Sequence, residues 1–293
     1  MEWGTHKLLG SLLLGSVWLV NAADPGAPLA SEPMAKNYFI LLDPAPVPSL
    51  REINALYENP YTVDAGHVQV ETFVLQYTRD QSSFEGSTTL HDAWTFGPMT
   101  LKLGVLNNLD AEVLLSPVYT HISSEDKSTG GAASLSGFGN TIPRLKLNLW
   151  GNDGGSTALA IVPFLKVPTH SPGLGNRSLE GGLILPFSVE LPQGWWMVLS
   201  PEVDCARDIC AAGYHPGLAN TVYFSHAIAG RLAGYGDFLA SLSTERSSRW
   251  IGILDFGFSY ALSLNVQIDL GLSIGVTHGA NDLNPYLGYS FRL

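Results

Sequence analysis

The 293-residue chain has little charge: Asp, Glu, Lys and Arg together make up 14% of it, against about a quarter in ordinary soluble domains. Basic residues are the scarcer sign, 15 against 26 acidic, leaving a net charge of −11. The basic footprint that nucleic acid demands is therefore missing, and nucleic acid is excluded as a partner. Long apolar runs are missing too. The longest, residues 8–20, covers about 13 positions, short of the roughly 20 a spanning helix needs. There is no His-Glu-x-x-His pair and no phosphate-binding Gly-rich loop, and the eight His are scattered singly, so neither an enzyme, a metal site nor a cofactor is expected. His170-Ser171 and His226 are the nearest approach to hydrolytic residues, and nothing links them to each other.

Cysteine is limited to Cys205 and Cys210. In an exported chain such a pair favours a disulfide closing a small loop. Export is expected from the N-terminus. His6 and Lys7 precede the short apolar run, and Val20-Asn21-Ala22 places small residues where a signal peptidase reads them. Residues 1–22 are thus expected to be a signal peptide. Residues 23–66 form a Pro-rich, irregular lead, with Pro25, Pro28, Pro33, Pro44, Pro46 and Pro48 opposing regular structure. A short helix from the Ser49-Leu50-Arg51-Glu52 capping pattern to about Tyr57 is its one regular expectation. The lead is either a periplasmic tether or a plug.

What the chain does have, from His67 onward, is apolar alternation of period two. Val266, Ile268, Leu270, Leu272, Ile274 and Val276 interleave with Gln267, Asp269, Gly271, Ser273 and Gly275. In a strand these sets point to opposite faces. One face stays apolar for about eleven residues, the length of a tilted strand crossing a bilayer. Residues 283–293, 143–150, 183–191 and 254–260 repeat the pattern, whereas 68–79 carry apolar residues on both faces. Short turns are expected at 107–108, 152–155, 192–194, 230–236 and 264–265. Longer loops are expected at 80–91, 123–140, 169–177, 205–217, 245–249 and 277–282. Their alternation is that of an outer-membrane barrel, with short periplasmic turns and long external loops. Trp94, Trp150, Trp195, Trp196, Trp250, Tyr119, Tyr260 and Tyr289 fall near strand ends, where interfacial girdles belong. The expected fold is therefore all-β: a transmembrane antiparallel β-barrel of about twelve strands over residues 67–293, in the outer membrane and in contact with its lipid.

With the apolar faces toward lipid, the lumen receives Glu71, Lys102, Glu112, Arg144, Lys146, Lys166, Glu190, Glu202, Asp204, Asp255, Asp269 and Arg292, of which Arg144, Lys146, Lys166, Glu71, Glu112, Asp255 and Asp269 are the candidates for selectivity. These charges either tune selectivity or form cross-strand ion pairs that fill a narrow barrel; both readings stay open at this point.

Four stretches have a familiar order: Glu58-Asn59-Pro60-Tyr61-Thr62-Val63-Asp64-Ala65-Gly66-His67, Gly137-Phe138-Gly139-Asn140-Thr141, Ala160-Ile161-Val162-Pro163-Phe164-Leu165-Lys166-Val167-Pro168-Thr169, and Asn284-Pro285-Tyr286-Leu287-Gly288-Tyr289-Ser290-Phe291. Over residues 58–293 the chain resembles the outer-membrane transporters grouped with the MetA-pathway of phenol degradation. The family pattern more often has Asp where Asn140 stands. The resemblance implies passage of a small-molecule solute, often hydrophobic or aromatic, and insertion by the barrel-assembly machinery. The last residues here are Phe291-Arg292-Leu293, where such barrels usually end in an aromatic. The alternatives are a non-conducting barrel with a structural or loop-binding role and a barrel lipid hydrolase.

Overall fold

A computed structural model describes residues 39–42, 58–84, 87–175, 177–208, 212–245 and 248–293. Sixteen strand segments make one sheet. They are β1 (Val68–Phe84), β2 (Ser87–Phe96), β3 (Met99–Leu106), β4 (Leu109–Ser116), β5 (Tyr119–Asp126), β6 (Ala132–Gly137), β7 (Asn140–Trp150), β8 (Thr157–Lys166), β9 (Glu180–Ile184), β10 (Phe187–Leu191), β11 (Trp195–Arg207), β12 (Tyr214–Ala229), β13 (Leu232–Ser243), β14 (Ile251–Ser263), β15 (Val266–Gly275) and β16 (Leu283–Arg292). Four wall strands are each built of two segments in line: β2 with β3, β4 with β5, β6 with β7, and β9 with β10. The wall therefore has twelve antiparallel strands. Pairing of β16 with β1, from Gln69↔Arg292 to Arg79↔Leu283, closes it.

Alternation decides which side chains face out. Leu270, halfway along β15, is 61% exposed, while its neighbours Asp269 and Gly271 are buried. Leu145, Leu147 and Leu149 on β7 point outward and alternate with buried Lys146 and Asn148. Phe256, Phe258 and Tyr260 continue the outer apolar surface on β14. Such a surface is unstable in water and suited to lipid. Trp94, Trp150, Trp195, Trp250, Tyr119 and Tyr260 are likewise exposed near strand ends. Trp196 departs from that set. It faces inward, edge-on to Tyr61 at 6.4 Å.

The turns at 107–108, 192–194 and 264–265 lie where expected. Besides 205–217, which is strand to Arg207 and again from Tyr214 with Cys205↔Pro216 paired, three connections are shorter than their composition implied. The 80–91 segment is strand as far as Phe84 and again from Ser87, with Arg79↔Asp92 and Gln81↔Leu90 paired. The 123–140 segment is mostly the β5–β6 hairpin. The 230–236 segment turns at Gly230-Arg231 and is strand from Leu232. In the first two, Ser, Thr and acidic residues occupy both faces, because the strands rise beyond the apolar belt into water. Their backbone still pairs, and pairing outweighs composition. The weak alternation of 68–79 has a different cause. A bulge between Phe73 and Leu75 lets both Val74 and Leu75 face outward, while Phe73 and Gln76 face inward.

An arginine at Leu270 should cost about 2–4 kcal/mol, because it sets a cation at the mid-depth of the lipid face. The same substitution at the turn residue Leu264 should cost close to nothing. Urea unfolding of protein refolded into bilayers measures the difference.

Candidate functional site

The inner wall carries polar and charged side chains that must find partners away from bulk water. On one side of the lumen they form a single cluster from β1, β3, β4 and β7. Lys102 Nζ lies 2.7 Å from Glu71 Oε1. Lys146 Nζ lies 3.1 Å from Glu112 Oε1. The third acid comes from outside the wall. Glu58, in the lead, ion-pairs with Lys146 and sits 2.8 Å from Arg144 Nη1. Arg144 also rests over the ring of Phe164 at 5.8 Å.

Glu58 begins a segment, residues 58–66, that lies inside the short-turn end of the barrel. By the rule that short turns face the periplasm, this is the periplasmic end. The wall satisfies the segment's backbone group by group. Asn148 Nδ2 donates to the Pro60 carbonyl at 2.7 Å. Lys146 donates to the Tyr61 carbonyl at 3.2 Å. The Thr62 amide donates to Asn152 Oδ1 at 3.0 Å. The Val63 amide reaches both oxygens of Asp110, each at 3.0 Å. The Ala65 amide donates to Asn107 Oδ1 at 3.1 Å. Tyr61 exchanges a hydrogen bond with Ser188 at 2.9 Å. Gly104 permits the approach: a Cβ there would lie 2.1 Å from the Asp64 carbonyl oxygen.

The opposite wall holds its acids through hydrogen bonds. Tyr286 donates to Asp255 Oδ1 at 2.7 Å and shares a 2.7 Å hydrogen bond with Tyr235. Ser273 donates to Asp255 Oδ2 at 2.6 Å. Asp269 accepts from Ser259 at 2.6 Å and from Gln267 at 2.9 Å. Phe73 stacks on Tyr286 at 4.4 Å, and Tyr223 on Tyr235 at 5.9 Å. With Val198 these aromatics form the buried cluster at mid-lumen. Toward the external end lies an open vestibule of about 450 Å³, bordered by Gln76, Thr78, His91, Thr95, Thr120 and Leu174.

The seven candidate selectivity positions all face the lumen, but not as one group. Glu71 and Glu112 meet through Lys102, Lys146 joins them at Glu112, and Arg144 joins only through Glu58. Lys166 stands apart toward the external end, 2.9 Å from Glu180. Asp255 and Asp269 occupy the far wall. Glu58 is not among the expected residues, since a Pro-rich lead gives no period to place it by. The one signal available was that the family motif begins at Glu58. Cys205 is exposed and unbonded among the described residues, and Cys210 lies outside them. Residues 1–38 and the expected helix at 49–57 also lie outside them. Gly271-Leu272-Ser273-Ile274-Gly275 fits the five-residue pattern of a nucleophile elbow. It runs straight through β15 with no turn into a helix, and Ser273 is bound to a buried aspartate. His170 Nδ1 donates to the Ser171 carbonyl at 2.8 Å. His226 lies tilted against Trp195, 4.8 Å between ring centroids, on the outer surface.

A closed antiparallel barrel with an apolar exterior and a charged interior is the architecture of a bacterial outer-membrane protein. The chain belongs to the family described as "Putative MetA-pathway of phenol degradation", which it matches over residues 56–293. It shares its fold with the translocator domain of the autotransporter NalP from Neisseria meningitidis, at TM-score 0.51 and 8% identity over 77% of this chain and 88% of that one. The transport unit of the autotransporter AIDA-I from Escherichia coli is similar at TM-score 0.50 and 13% identity, over 83% and 93% of the two chains. The CymD monoaromatic hydrocarbon channel is also similar, at TM-score 0.43 and 11% identity, over 77% of this chain and 87% of that one. No curated protein matches the chain.

Two outcomes follow from the cluster. Lys146→Met leaves Glu58 and Glu112 without their shared cation, and should destabilise the folded barrel by about 3–5 kcal/mol in urea titrations. Glu58 gives a pH dependence. Burial pushes its carboxyl up, but Lys146, Lys102 and Arg144 together outweigh burial and hold it at about 2, below its ordinary 4.5. A lowered carboxylate stabilises above the unfolded value and stops doing so as pH falls through the folded one. Docking of residues 58–66 should therefore be undiminished above pH 4.5 and weaken between there and pH 2. Amide exchange of that segment across this range is the measurement.

Proposed function

We propose that the protein is a passive outer-membrane channel for small molecules, of hydrophobic or aromatic character, whose periplasmic half is shut by its own lead. The observation that carries this reading is the nature of the closure. Residues 58–66 belong to no strand of the wall and are held by hydrogen bonds and ion pairs, so their departure would leave the barrel's own ladder intact. The external vestibule supplies an entrance, and the family description supplies the class of compound. Residues 1–22 would direct export and be removed after Ala22, and the barrel-assembly machinery would insert the rest among outer-membrane lipids. Cys205 and Cys210 would close a small external loop as a disulfide, which a count of free thiols under denaturing conditions tests.

A second reading has its own support. The buried cluster of Phe73, Tyr223, Tyr235 and Tyr286 fills mid-lumen beside the lead, as in a non-conducting barrel that serves through its loops or its integrity.

Planar-bilayer conductance separates the two. The channel reading expects small, intermittent openings in the whole protein and a large, steady conductance once residues 23–66 are removed. Silence in both forms, with no solute uptake into liposomes, would leave the non-conducting barrel.

A further inference from the structure

We propose that Arg144, assisted by Lys146, forms a carboxylate-binding site inside the lumen. Glu58 occupies it in the closed state, and a small carboxylate with an apolar body takes it when the lead withdraws. Each lysine of the cluster has a carboxylate from the wall, Lys102 with Glu71 at 2.7 Å and Lys146 with Glu112 at 3.1 Å. Arg144 has none. Among the described residues its one ion-pair partner is Glu58, at 2.8 Å, and Glu58 is carried by the lead. Withdrawal of the lead leaves a mostly buried guanidinium without its ion-pair partner, a costly state that an incoming carboxylate relieves.

The site is built for that role. The Arg144 Nε is buried and has no acceptor, so the planar fork keeps a donor beyond the one Glu58 uses. Phe164 supports the guanidinium from the side. Arg144, Glu58 and Lys102 border a cavity of about 90 Å³ whose other walls are mixed, with Leu114, Ile184 and Leu239 beside Thr100, Ser200 and Thr221. A charged end beside a partly apolar wall suits an acid with a hydrocarbon or aromatic body. Glu58 with its neighbouring chain fills the position that ligand would take, so lead and ligand exclude each other.

This inference rests on the lumen being a solute route, but binding is read separately from flux. Calorimetric titration of the detergent-solubilised full chain with benzoate, and with benzyl alcohol as the uncharged control, is the experiment. Glu58→Gln should bind benzoate about ten-fold more tightly than the unsubstituted protein, since it removes the internal competitor. Adding Arg144→Gln should abolish that binding, and benzyl alcohol should not distinguish the proteins. In the unsubstituted protein, benzoate should raise amide exchange across residues 58–66 where benzyl alcohol does not. Unchanged benzoate affinity in Glu58→Gln, or retained affinity in the double variant, overturns the site. Should either variant fail to fold, judged by heat-modifiable migration, the exchange measurement decides alone, and no rise with benzoate overturns the proposal. Benzoate binding without flux into liposomes would remove the channel reading and leave the site. Flux without benzoate binding would remove the site and leave the channel.

Discussion

A strand in a bilayer has no water to satisfy its backbone, so every N–H and C=O of the wall must pair with another strand. The rest of this structure depends on that constraint. It is met only because β16 returns to β1, with the Leu293 amide donating to the Val68 carbonyl at 2.8 Å at the seam. Closure leaves no edge in the apolar zone. It also fixes the period of the side chains, and so commits one face of every strand to lipid and the other to the lumen.

Commitment of the inner face creates the second problem, burial of charge. The barrel meets it differently on its two sides. The far wall uses short hydroxyl–carboxylate bonds, with Tyr286 and Ser273 on Asp255. Glycine on β15 makes room for this: a Cβ at Gly271 would lie 2.3 Å from the Tyr286 ring. The near wall uses lysine, arginine and glutamate, and its own acids satisfy only two of three cations. The third is satisfied by the lead. The segment that closes the lumen is thus also the segment that neutralises it, which ties closure to charge.

The alternation on β7, β14 and β15 was legible in the sequence because apolar residues there occupy one face without interruption. Strand count and turn positions followed from the same signal. Legibility failed where the face rule lapses. Above the apolar belt, Ser82, Thr88, Thr89 and Ser123 sit on strands wet on both sides, so they resemble loop. At the β1 bulge one extra residue shifts the register, and Val74 and Leu75 then look like noise. The lumen charges were legible singly, as the polar members of alternating strands, but their grouping was not. Lys166 and Asp269 satisfy the same pattern as Arg144 and belong to different neighbourhoods.

By itself the sequence determined the wall: the period of its apolar residues, with Gly and Ser rather than charge on the other face, matches a medium that is dry outside and wet within. Only the tertiary structure decided what fills the lumen. Which inward residue meets which depends on strand stagger and on the path of residues 58–66, and neither leaves a period in the chain. Glu58 reaches Arg144 across 86 residues of sequence, and that contact exists only once the barrel has closed around it.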